Sequence, residues 1–141
     1  MNEGIQQSLQ ELCGPLPIVA LYVFGSRAPE LRLEGRSVRP ERIDSDLDLG
    51  VQVEHETRLT AAERVSLTIA LEDLFQVPRV DLVVLNETGP FLALDIIRGE
   101  LLYCADALCQ AEYELYVLRR AADLACYQKE RCRQIICEGA R

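Results

Sequence analysis

Two aspartates separated by a single leucine constrain this chain more than any other feature. Asp46 and Asp48 lie in Ser45-Asp46-Leu47-Asp48-Leu49-Gly50-Val51, a run that otherwise reads as a strand. Side chains two apart on a strand share a face. Asp46 and Asp48 are therefore expected side by side, with Leu47 and Leu49 pointing into a core. Two carboxylates held that close repel one another, and a bound divalent cation would remove the repulsion. Upstream, Val23-Phe24-Gly25-Ser26-Arg27-Ala28 reads as a strand entering a tight glycine turn, with Ser26 where a new helix would begin. Val23 to Val51 is the stretch around which the rest is arranged.

The remaining elements follow from periodicity and punctuation. Ile5 to Leu12 has the pattern of a short amphipathic helix, with Ile5, Leu9 and Leu12 on one side and Gly14-Pro15 ending it. Pro17 to Phe24 is a buried strand by composition. Residues 27–42 carry five arginines (Arg27, Arg32, Arg36, Arg39 and Arg42), punctuated by Pro29, Gly35 and Pro40. They read as a short helix followed by a surface loop, either solvated or with one or two arginines meeting phosphates. Asp44 to Val53 is the second strand. Thr60 and Glu63 form a capping box for a helix over Ala61 to Phe75, its apolar face drawn through Val65, Ile69 and either Leu71 or Leu74.

Pro78 breaks that pattern, and Arg79 to Leu85 is a third strand. Pro90 suits the first turn of a helix reaching about Arg98. Gly99 ends it, and Leu101 to Tyr103 is a short edge strand. Asp106 to about Cys137 reads as one long helix, with a seam at Leu108, Ala111, Leu115, Leu118, Ala122 and Ala125. Tyr113, Tyr116, Val117, Leu124 and Tyr127 lie partly off that seam. The surplus of apolar surface is either a wide core face or a docking surface for a partner chain.

Composition narrows the class. A chain of 141 residues suits a single domain, spanning 1–141 with a core at about 15–104 and the helix at about 106–137. A formal net charge of -8 argues against indiscriminate nucleic-acid binding and is compatible with docking onto a basic protein. The six cysteines include no C-x-x-C pair, and His55 is the only histidine, so a zinc site is not expected. The N-terminus is polar and helical in pattern rather than an export signal, which points to the cytoplasm and to reduced cysteines. No apolar run approaches the ~20 residues of a membrane helix.

Asp81 completes the pattern. It sits in Arg79-Val80-Asp81-Leu82-Val83-Val84-Leu85, where a core strand favours an apolar residue. A buried carboxylate is costly unless paired, metal-bound or protonated, and the bland account is an ion pair with Arg79 on the same strand face. The ordered set says more. A strand ending in Gly25-Ser26 offers backbone N–H groups at a helix start, a natural phosphate cradle. The next strand carries Asp46 and Asp48, and a third carries Asp81. Carboxylates around one or two magnesium ions, facing a phosphate cradle, are what nucleotidyl transfer requires.

On these residues the chain resembles the polymerase-beta-type nucleotidyltransferase superfamily, and most of all its minimal nucleotidyltransferases. Val80-Asp81-Leu82-Val83-Val84-Leu85-Asn86 and Ile96-Ile97-Arg98-Gly99-Glu100-Leu101-Leu102-Tyr103 look like MntA-type antitoxins, partners of HEPN ribonuclease toxins. The similarity runs from about Pro17 to Tyr127. The segment between Ser26 and Asp46 is longer than the family's usual spacing. The resemblance implies an α/β (α+β) nucleotidyltransferase fold: a small mixed sheet of three to five strands, flanking helices and a long C-terminal helix. It also implies that Asp46, Asp48 and Asp81 are catalytic and bind Mg2+, and that Gly25, Ser26 and Arg27 hold the triphosphate. The implied reaction moves AMP from ATP to a tyrosine hydroxyl of a cognate HEPN toxin, neutralising it. Alternatives are a nucleotidyltransferase acting on a small hydroxyl substrate such as an aminoglycoside, and an antitoxin that only binds.

Overall fold

The computed structural model describes residues 3–25 and 46–139. The arginine-bearing segment 27–42 and the expected helix start at Ser26 lie outside those residues. Helix α1 (Glu3–Cys13) leads into β1 (Ile18–Phe24), and β2 (Leu47–Val53) follows the undescribed stretch. Then come α2 (Ala61–Phe75), β3 (Val80–Val84), a short 3-10 turn (Leu85–Glu87), α3 (Pro90–Ile97), β4 (Glu100–Cys104) and α4 (Ala107–Gly139). The strands form one mixed sheet in the order β3-β2-β1-β4. β1 runs antiparallel to β2 and β4, while β2 and β3 are parallel. The parallel pair needs a crossover connection, and α2 supplies it. β4 takes the edge expected of Leu101 to Tyr103.

The sheet is covered on both faces. Leu47, Leu49, Val51 and Val53 of β2 point to the face packed by α1 and α2, meeting Leu9, Cys13, Leu67, Leu71 and Phe75. Ala20 and Tyr22 of β1 belong to the opposite cluster, with Ala93 and Ile96 of α3 and Val117 of α4. Gly50 lets α3 sit directly on the sheet: a Cβ there would lie 2.5 Å from Ile96 Cγ2. Local chemistry sets the element ends. Thr60 accepts from the Glu63 N–H while Glu63 accepts from the Thr60 N–H, the expected capping box. Pro90 stands at the start of α3, where its missing N–H costs nothing.

Two helix faces differ from those drawn by spacing. In α2, Val65 and Ile69 are exposed at 58% and 54%, and the buried residues are Leu67, Leu71 and Phe75. Both sets are four apart, so periodicity alone does not choose. The set ending in Phe75 carries the larger apolar surface. In α4, Leu108, Leu115 and Leu118 are exposed, as are Ala111, Ala122 and Ala125, whereas Val117 and Ala121 are buried. Polar contacts orient this helix. Tyr22 Oη donates to Glu114 Oε1 at 2.9 Å. Gln110 Nε2 donates to Tyr22 Oη at 2.7 Å and to Glu114 Oε1 at 2.6 Å. The small Val117 and Ala121 then let α4 approach closely, and its leucine stripe faces outward.

Candidate active site

The C-terminal end of β1 and the N-terminal ends of β2 and β3 meet at one end of the sheet, because β1 is antiparallel to β2 and β2 is parallel to β3. Register brings the chemistry together there. Phe24 pairs with Asp48, and Asp48 pairs with Asp81. The Asp48 and Asp81 side chains therefore leave neighbouring strands at the same level. Asp46 stands one residue before β2 begins. Gly25 follows β1 with φ +77°, a left-handed conformation that suits glycine. Its Cα faces the Asp48 carboxylate so closely that an added Cβ would lie 2.5 Å from Asp48 Oδ2. The turn and the carboxylate pair, read separately from the sequence, are thus in contact. Ser26 and Arg27 lie outside the described residues.

The electrostatics follow from this crowding. The Asp48 carboxyl is pushed above the usual carboxylate range, first by burial, then by the charges of Asp81 and Asp46. Arg79 answers part of that charge. Its NH2 group lies 3.3 Å from Asp81 Oδ1, and its Nε lies 4.0 Å from Asp46 Oδ2. Spacing along β3 anticipates the Asp81 partner. The Asp46 partner comes from the neighbouring strand, and no signal in the linear sequence marks it.

Among the described residues, no group of three or more His, Cys, Asp or Glu side chains is gathered tightly enough to hold an ion. The donor set nonetheless suits magnesium: hard carboxylate oxygens, with a like-charge excess centred on Asp48. Arg79 draws two of the three carboxylates to itself. All three partners in those ion pairs are substantially exposed, so releasing Asp46 and Asp81 from Arg79 costs little.

A family model described as polymerase beta, nucleotidyltransferase matches residues 5–108 of the chain. A comparison with curated proteins returns no match. Among solved structures, the chain is similar to a toxin–antitoxin complex with AMP-PNP at 17% identity and a TM-score of 0.66, covering 93% of this chain and 98% of the other. It is also similar to the complex of a tri-AMPylated Shewanella oneidensis HEPN toxin with MNT antitoxin, at 19% identity and a TM-score of 0.59, covering 100% of both chains. A third, a candidate minimal nucleotidyltransferase, is 33% identical over 68% of this chain and 86% of the other, with a TM-score of 0.50. The first two, at such low identity, speak to the fold.

Proposed function

This chain belongs to the polymerase beta nucleotidyltransferase family, and from that membership we propose that it transfers AMP from ATP to a tyrosine hydroxyl of a partner HEPN toxin, silencing it. The observation that carries this reading is the contact between Gly25 and Asp48, with Asp81 at the same level on the next strand. It joins a phosphate-cradle turn to three carboxylates at one end of a sheet. Support for the partner comes from fold neighbours that are toxin–antitoxin complexes, one of them with a tri-AMPylated toxin.

In this reading Asp46, Asp48 and Asp81 hold Mg2+, and the backbone at Gly25 and Ser26 holds the triphosphate. Bound magnesium screens the phosphate charge and lowers the pKa of the attacking hydroxyl. Asp81 takes the tyrosine proton as the tyrosine oxygen bonds to the α-phosphorus and the bond to pyrophosphate breaks. Gly25, having no side chain, lets its backbone lie close against the Asp48 carboxylate. Arg79 keeps Asp46 and Asp81 in place before the metal enters. The uncovered stripe of α4, at Leu108, Leu115 and Leu118, docks the partner. The fold neighbours, which span α4, are themselves complexes. In the described residues no helix is long and apolar enough to cross a membrane.

Incubation with ATP, Mg2+ and the co-encoded partner tests this. Intact-mass analysis is expected to show one or more AMP additions on a partner tyrosine, absent with chelator or with Asp48→Asn. AMP on an added aminoglycoside instead, or full neutralisation of the partner by Asp48→Asn, would overturn it.

A further inference from the structure

The exposed stripe of α4 has a period that says what kind of surface covers it. Leu108, Ala111, Leu115, Leu118, Ala122 and Ala125 are spaced alternately three and four residues apart. The same spacing continues through Lys129, Cys132 and Ile136, and all nine positions are exposed. A repeat of 3.5 residues held over four heptads is the seam of one helix wound against another. Its alanines allow close approach.

The fold narrows that second helix to another α4. The globular body covers α4 only as far as Ala121 and the half-buried Leu124, and every side chain from 125 to 137 is exposed. The covered part, 107–124, and the bare part, 125–139, are nearly equal, about 27 and 22 Å at 1.5 Å per residue. An antiparallel second copy lays its bare half along the covered half of the first. Val117 and Ala121, which hold α4 to the body, lie beside the seam rather than on it. The two bodies therefore sit on one side of the helix pair, at opposite ends, each over the other's bare half.

Charge selects the register. With Ala122 facing Ala125 of the second copy, Leu115 meets Cys132, Ala111 meets Ile136, and Leu118 meets the aliphatic stem of Lys129. Beside the seam, Glu112 then faces Arg133 of the second copy, and the two-fold axis repeats that pair. A slide of one heptad either way sets Arg119 against Arg119 or Arg133 of the second copy, like charge on like charge. A parallel pair sets Lys129 against itself. A lone charged residue in a seam fixes orientation in this way, at a cost in affinity.

We propose that two copies of this chain pair through α4 as an antiparallel two-helix coiled coil centred between Ala122 and Ala125. The seam overlaps the leucine stripe assigned above to the partner protein, so the two occupants exclude one another and the partner displaces the copy. Self-pairing needs neither ATP nor AMP transfer, and its failure would leave the transfer reading untouched.

Sedimentation equilibrium of the full chain alone, over a dilution series, tests this. The expected limit at high concentration is twice the 15.9 kDa of one chain. Leu115→Glu is expected to weaken self-association by at least about tenfold, as loss of an apolar anchor does. Glu112→Arg removes two attractions and adds two repulsions, for a loss of about tenfold. Combining it with Arg133→Glu is expected to restore pairing to within about threefold of the parent, because the opposite charges face each other again. All these positions are exposed, and circular dichroism at the lowest concentration checks that each variant is folded. A parent that stays at the mass of one chain throughout overturns the proposal, as does one that forms dimers only with its partner protein present. A Leu115→Glu chain that pairs as the parent does, or a double charge swap that pairs no better than Glu112→Arg, also overturns it.

Discussion

Gly25 has no room for a side chain, and the reason lies on another strand. Its φ of +77° already disfavours other residues, and a Cβ would meet Asp48 Oδ2 at 2.5 Å. Gly25→Ala is expected to lose at least about 1–2 kcal/mol of stability by urea unfolding. A loss within the ~0.5 kcal/mol typical of neutral surface changes would refute the tight contact. Asp48 makes a second prediction at this scale. Burial, Asp81 and Asp46 hold its carboxyl above the usual range, so the folded state disfavours its charged form. The metal-free protein should therefore gain stability as pH falls through that raised pKa, the gain levelling off below the ordinary aspartate range. Asp48→Asn should melt higher than the parent in chelator at neutral pH, and the difference should vanish in acid. With Mg2+ added the order should reverse, because only the parent gains from binding. A variant that melts lower in chelator would show that the carboxylate crowding is unimportant.

At the scale of elements, α2 and α4 show where periodicity stops being informative. Each carries apolar residues on more than one side. The spacing selects Val65, Ile69 and either Leu71 or Leu74 in α2; of these the sheet receives Leu71, together with Leu67 and Phe75. Leu71→Ala is expected to cost about 2–5 kcal/mol through the cavity it leaves. Ile69→Ala is expected to stay within about 0.5 kcal/mol, as exposed substitutions do. Equal losses at the two positions, read from denaturant midpoints, would contradict the observed packing. In α4 the strict three–four seam of Leu108, Ala111, Leu115 and Leu118 stays outside, while Val117 and Ala121 pack inward. Strand assignments fare better. Apolar composition and the punctuating Pro78, Gly99 and Gly14-Pro15 mark the four strands of the described residues to within a few residues.

For the whole molecule, the proposed partner would meet an acidic chain with an exposed leucine stripe. Leu118 is 46% exposed on α4, a helix of 33 residues whose side chains from 125 to 137 are all exposed. Leu118→Glu should leave thermal stability unchanged and weaken partner binding by at least about tenfold, as loss of a central apolar anchor does. Pull-down and calorimetry with the purified partner would check it. Unaltered binding would move the docking surface elsewhere on the molecule.

The sequence by itself determined the order of elements, the capping box at Thr60 and Glu63, the glycine turn at Gly25 and the family to which the chain belongs. These are local or linear facts: φ > 0 needs glycine, a box needs residues three apart, and a strand's core face alternates. Only the tertiary structure decided that Gly25 touches Asp48, that Asp81 stands level with it, that Arg79 reaches Asp46, and that the leucine seam of α4 stays exposed. Each depends on the register between strands or on which helix face is buried. Those choices are made by residues far apart in the chain, such as Tyr22 with Glu114, and no spacing within a single element encodes them.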